Sequence, residues 1–219
     1  VQSKGKNQFK MSDTAREVAK MLLNINAIKL NVENPFTWAS GWKSPIYCDN
    51  RLSLSYPEVR KFIKEKIVAN INANFPGTES IAGVATAGIP QGALVADALE
   101  LPFVYVRSKP KGHGMENMIE GKITPGQKVV VIEDLISTGG SSIKAVDALV
   151  DVGFEVLGML SIFTYGFAIA NENFRAKDLR LISLSNYEQL IDAALTLNYI
   201  SPAQVNHLKK WRENPGEWR

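Results

Sequence analysis

The stretch Val129 to Ser142, VVVIEDLISTGGSS, concentrates residue types that can do chemistry. Four apolar residues, Val129-Val130-Val131-Ile132, have the length of a buried strand and end in two adjacent acids, Glu133 and Asp134. Leu135 and Ile136 follow, then the small-residue turn Ser137-Thr138-Gly139-Gly140-Ser141, then a helical pattern. A helix N-terminus offers unpaired backbone N–H groups and the positive end of its dipole, which suits a phosphate. Glycines let the backbone approach such an anion closely, and the hydroxyls of Thr138, Ser141 and Ser142 are further donors. Two carboxylates beside an anion cradle would repel it unless they hold sugar hydroxyls of the same ligand or help place Mg²⁺. A plain capped turn leaves both acids at a buried strand end without a task, and burying unpaired carboxylates is costly.

Two more segments carry candidates. Arg107, Lys109, Lys111 and His113 enter a polar, Gly-rich run from Ser108 to Thr124 that lacks an apolar period. Cations on such a loop can stabilise charge that develops on a leaving group, and a histidine can change its own charge near neutral pH. Ala85-Thr86-Ala87-Gly88-Ile89 is a second turn after an apolar run, where Gly88 permits unusual backbone geometry and exposes N–H donors. Cys48 has no histidine near it in sequence and is expected to be buried and inert.

Elements must position these residues. Thr14 to Leu23 has Ala15, Val18, Ala19, Leu22 and Leu23 at helical spacing, with Ser12-Asp13 as cap candidates. Asn31 to Asn50 is turn-rich and aromatic, and Pro57 to Asn72 is a second amphipathic helix with proline in its first turn. Strands are predicted over Ser80–Val84, Pro102–Arg107, Lys128–Ile132 and Phe154–Thr164, with helices over Gly88–Leu99 and Ser141–Val152 between them. Leu179–Ser183 reads as a late edge strand, Tyr187–Leu195 as a helix, and Ser201-Pro202 as the start of a last one. Strands alternating with helices imply βα units on a parallel sheet, with ligands at the strands' C-terminal ends. The expected layout is a tag remnant or disordered tail over 1–10, helices and a hood segment over 11–78, an α/β core over 79–185 with a mobile loop at 108–121, and covering helices over 186–219.

Composition excludes several classes. The 219 residues are 45% hydrophobic and 21% charged, which rules out a disordered or collagen-like chain. No apolar run approaches the ~20 residues of a helical bilayer span, and the first residues lack a signal-peptide layout, so a cytoplasmic protein without membrane contact is expected. One cysteine and two histidines cannot build a structural zinc site. The net charge of +3 arises from 25 basic and 22 acidic residues, several lysines lying in the first ten positions. The rest is close to neutral and gives no case for nucleic-acid binding.

The apolar run, two acids, two residues and STGGS resemble the phosphoribosyl pyrophosphate (PRPP) motif of type I phosphoribosyltransferases. FTWASGWKSPIYCDNR (36–51), YVRSKPKGHGMENMIEG (105–121) and the closing LKKWRENPGEW are similar to segments of the orotate phosphoribosyltransferase family, particularly its bacterial short form. The likeness runs from Thr14 to Trp218. It implies the type I phosphoribosyltransferase fold, a parallel-sheet core flanked by helices with a small hood. It further implies transfer of phosphoribose from PRPP to orotate with Mg²⁺ in pyrimidine biosynthesis, by a homodimer that shares a loop between subunits. On the family's pattern Arg107, Lys111 and His113 grip pyrophosphate, with Lys109 off the matching position. Glu133, Asp134, Leu135, Ile136, Ser137, Thr138, Gly139, Gly140 and Ser141 form the ribose-phosphate loop, with Ser137 also touching orotate, and Thr86 and Ala87 lie on the pyrophosphate side.

The chain departs from many enterobacterial-type members at three cationic positions, where it has Ala39, Thr86-Ala87 and FTYGFA at 163–168. Base recognition is therefore expected from Lys43 or Arg51 and from backbone near Phe36 and Tyr47. The aromatic Phe36, Trp38 and Trp42 serve as hood packing. Another nucleobase phosphoribosyltransferase, or a PRPP-sensing regulator on the same fold, are the alternatives.

Overall fold

Apolar runs in this chain become strands covered on both faces. The computed structural model describes residues 2–38, 41–109 and 118–218, with side chains from Asp13 onward. Its centre is a six-stranded sheet in the order β10-β9-β8-β5-β6-β7. The strands are β5 (Ser80–Val84), β6 (Phe103–Val106), β7 (Ile119–Glu120), β8 (Lys128–Ile136), β9 (Glu155–Thr164) and β10 (Leu181–Asn186). All neighbours are parallel except β6 and β7. Parallel sheets need both faces covered, which is why β5 is buried along its whole length.

Side-chain alternation along β8 feeds two cores. Val130 and Ile132 join a cluster with Leu160, Leu184 and the helices α1 (Gln2–Asn24), α2 (Pro57–Asn74), α3 (Gly88–Leu99), α6 (Tyr187–Thr196) and α7 (Pro202–Glu213). Val129 and Val131 face a second cluster with α4 (Gly140–Asp151) and α5 (Ala168–Ala176). In α2 the buried residues Val59, Ile63, Ile67 and Ile71 recur every fourth position, one stripe of a helix.

The hood is made of small pieces. β1 (Ile28–Leu30) pairs antiparallel with β4 (Ile46–Cys48), and β2 (Phe36–Thr37) with β3 (Lys43–Ser44). A 3-10 helix at Asn50–Ser55 then leads into α2, capped by the Asp49 carboxylate, which accepts from the Arg51 amide.

Three expectations are corrected. The first helix starts at Gln2 rather than at a Ser12-Asp13 cap, so residues read as a tail are helical; no proline interrupts that run. β8 continues to Ile136 because β9 is long enough to pair with it as far as Ile136–Thr164, so the two acids lie within the ladder rather than beyond its end. The helix α5 has no counterpart in the sequence reading: only Ala170 and Phe174 are buried, and the polar residues between them hide the period.

Candidate functional site

The site gathers at the C-terminal ends of β5 and β8. Glu133 is buried at 6% exposure, whereas its neighbour Asp134 is half-buried. The Ser142 hydroxyl donates to Glu133 Oε2 at 3.2 Å and the Asp134 amide to Oε1 at 3.0 Å, so both oxygens of the inner carboxyl are engaged. Burial, together with the Asp134 charge, holds the Glu133 carboxyl well above the usual carboxylate range. Burial also raises Asp134, against the opposing pull of hydrogen bonds and of the Arg51 charge. The Ser142 hydroxyl is thus turned inward to brace Glu133, where the sequence reading offered it to a phosphate.

The turn after β8 is built from backbone. Leu135 packs on the larger cluster, and Ile136 is fully buried with its carbonyl accepting from the Tyr165 amide at 3.1 Å. Their side chains are structural, which narrows the predicted ligand contacts to main chain at these two positions. Ser137 and Thr138 are half-buried, and Gly140 and Ser141 are exposed. Gly139 sits at the N-cap of α4 with φ +80, and no side chain among the described residues caps that end. A Cβ at Gly139 would lie 2.9 Å from the Phe174 ring, so conformation and space both require glycine. From α5, Asn173 Nδ2 donates to the Thr138 carbonyl at 2.9 Å. The turn thus leaves backbone amides and hydroxyls at a helix N-terminus, a chemistry able to take a phosphate dianion.

The second loop presses against the first. The Ala85–Thr86 peptide is cis, Thr86 is exposed and Ala87 half-buried. Gly88 comes so close to β8 that a Cβ would stand 2.5 Å from the Ile132 carbonyl oxygen, and 3.4 Å from Glu133 Cα. Thr86 and Ala87 are thereby brought beside the acidic pair.

The hood supplies the third wall. Lys43 Nζ donates to Thr37 Oγ1 at 2.8 Å across the β2–β3 hairpin. Arg51 forms a two-point fork with Asp49, at 2.6 Å from Nε and 3.0 Å from Nη2, and the guanidinium holds the Asp49 carboxyl below its ordinary range. Phe36 leans on Tyr47 with ring centroids 5.7 Å apart. Both cations proposed for base recognition therefore already have partners, while remaining exposed at their outer faces. Arg107 donates to Glu120 Oε1 at 3.1 Å on the β6–β7 edge. Lys111 and His113 lie outside the described residues.

Sequence reasoning missed Asn50. Its side chain is buried and donates from Nδ2 to the Asp134 carbonyl at 2.8 Å, bringing the hood to β8. A lone asparagine in a turn-rich segment carries no periodic or motif signal that could have marked it.

Strand, acidic pair and glycine turn into a helix, with a second glycine loop alongside, define the phosphoribosyl-transferring class of α/β protein. The phosphoribosyl transferase domain family matches residues 53–196. An orotate phosphoribosyltransferase of Cytophaga hutchinsonii is 60% identical over 93% of this chain and 98% of its own length. One from Bacteroides thetaiotaomicron is 57% identical over 95% of this chain and 98% of its own. Among solved structures, orotate phosphoribosyltransferase from Aeropyrum pernix superimposes with a TM-score of 0.72 at 27% identity, covering 84% of this chain and 99% of that one. The chain belongs to the phosphoribosyltransferase family, on its orotate phosphoribosyltransferase branch.

Proposed function

We infer that this chain transfers the 5-phosphoribosyl group of PRPP to orotate, giving orotidine 5′-monophosphate and pyrophosphate in pyrimidine biosynthesis. The observation that carries the reading is the acidic pair on β8 running into the uncapped, glycine-started α4. Ribose hydroxyls donate to Asp134 and Glu133, and the 5′-phosphate rests on the main chain of 137–141. The diphosphate lies toward Thr86 and Ala87 and is gripped by Arg107, Lys111 and His113. Orotate sits under the hood among Phe36, Lys43, Arg51 and Ser137.

The C1′–O bond breaks with its electron pair leaving on pyrophosphate, and the orotate ring nitrogen forms the new bond to C1′ as its proton departs. No enzyme nucleophile is needed, because positioning and charge stabilisation suffice for an oxocarbenium-like transition state. One well-aimed donor of this kind is worth roughly 3–4 kcal/mol of barrier. Closure around the ligand would keep water from hydrolysing PRPP.

Mg²⁺ takes one or two carboxylates and completes its shell with phosphate oxygens and water. That habit fits Asp134, the more accessible acid, beside a bound diphosphate; among the described residues no three acidic, histidine or cysteine side chains converge on one point. When bound, the ion neutralises charge on the diphosphate. We further propose a cytoplasmic homodimer that shares the loop between β6 and β7, shorter than the expected 108–121 because Ile119–Glu120 pairs with β6.

The test is pyrophosphate release from PRPP offered orotate, uracil, hypoxanthine or adenine, with and without Mg²⁺. Release with orotate and Mg²⁺ is expected. Turnover of a purine or of uracil in its place overturns the substrate assignment, and undiminished rates after chelation overturn the metal.

A further inference from the structure

Between the hood and the core runs a line of buried polar groups to which the reaction assigns no task. Asn50, Ser53 and Gln91 are 1%, 0% and 1% exposed. Gln91 Nε2 donates to Ser53 Oγ at 3.2 Å, Ser53 Oγ donates to the Asn50 carbonyl at 2.6 Å, and Asn50 Nδ2 donates to the Asp134 carbonyl at 2.8 Å. Cys48 Sγ donates to Asn50 Oδ1 at 3.3 Å, which fixes which way that amide faces. The single hydroxyl proton of Ser53 is committed to Asn50, so Gln91 must present its NH₂ to Ser53. Its Oε1 is left buried without a partner. Apolar residues would fill this space at lower cost, since an unpaired buried acceptor is penalised.

The line closes a ring. Gly88 touches β8 at Ile132 and Glu133, and Gln91, three residues further along α3, returns to β8 at Asp134 by way of Ser53 and Asn50. The 85–88 loop and the acidic pair are thereby locked in one register from two sides. We propose that Asn50, Ser53 and Gln91 are positioning residues that set the height of the Glu133–Asp134 pair against the 85–88 loop, and so the fit of PRPP. The inference rests on the reading of the acidic pair as the sugar's seat.

The experiment measures KM for PRPP and for orotate separately in Gln91→Met, Asn50→Ser and the double variant, with unfolding midpoints alongside. Gln91→Met keeps shape and removes the amide. A lost hydrogen bond of this kind corresponds to about a tenfold change: KM for PRPP should rise by about that factor while KM for orotate stays within about twofold. The double variant should be no worse than the worse single, because one chain of bonds is broken once or twice with the same result. A proportional rise in both KM values, additive effects, or a lowered midpoint with unchanged kinetics overturns the proposal. Should Asn50→Ser not fold, Gln91→Met alone decides by the same criteria. Asp134→Asn separates the two readings. An unchanged KM for PRPP in that variant removes the sugar's seat and this inference together. A raised one beside an unaffected Gln91→Met removes only the inference.

Discussion

Glu133 is an acid held where water is scarce, and its titration couples the site to the stability of the fold. Burial and the neighbouring Asp134 raise its carboxyl well above the ordinary value of 4.5. Over the interval between 4.5 and the raised value the folded chain keeps a proton that the unfolded chain has released. Stability must then fall as pH rises through that interval and level off above it. Glu133→Gln is neutral throughout and lacks this slope. Unfolding midpoints taken upward from about pH 4 should show the wild type losing ground to Glu133→Gln. Parallel curves would mean that the inner carboxyl titrates as it does in water. At this scale the sequence showed the acids and the glycine turn, because their spacing is a local pattern. It did not show that Ser142 turns inward or that Arg51 is already forked to Asp49, because spacing does not fix side-chain direction, nor that Asn50 reaches Asp134, since partners eighty-four positions apart leave no mark on spacing.

Among the elements, the core strands were legible because burial on both faces demands continuous apolar runs, as in Ser80–Val84 and Lys128–Ile132. The extension of β8 was hidden by the very acids that matter, which look like a strand's end. The hood's two- and three-residue strands are too short to show any period. The β2–β3 hairpin is tied to α7: Trp211 is fully buried and its indole Nε1 donates to the Lys43 carbonyl at 3.2 Å. Its ring meets Trp38 edge-on with centroids 5.5 Å apart. Trp211→Phe retains most of the packing and removes the N–H, at a cost of about 1–2 kcal/mol. If the β2–β3 hairpin seats the base, KM for orotate should rise several-fold in this variant while KM for PRPP holds. Equal changes in both would assign Trp211 to general stability.

For the whole molecule, the sheet lies between two hydrophobic cores, and the site gathers at the C-terminal ends of its central strands. Arg107 stands at the far side of the site on the β6–β7 border strands, where β7 supplies Glu120 as its partner. A dimer that completes this border from a second subunit predicts specific activity that declines on dilution as subunits part. Sedimentation measured at the same concentrations should track the decline, and full activity per chain in a verified monomer would refute shared sites.

Asn50 belongs to the stretch ahead of α2, while the acids it supports come more than eighty residues later, after two further helices. The half of the active centre that would choose the base and the half that would grip the activated sugar therefore come from separate stretches of the chain, and the Asn50 amide is one of the bonds that joins them. If the hood chooses the base, grafting the stretch from Ala27 to Tyr56 from a relative with another acceptor should carry that preference with it, as KM values for the competing bases would show. Such a graft should keep its grip on the donor when it carries asparagine at position 50 and serine at 53.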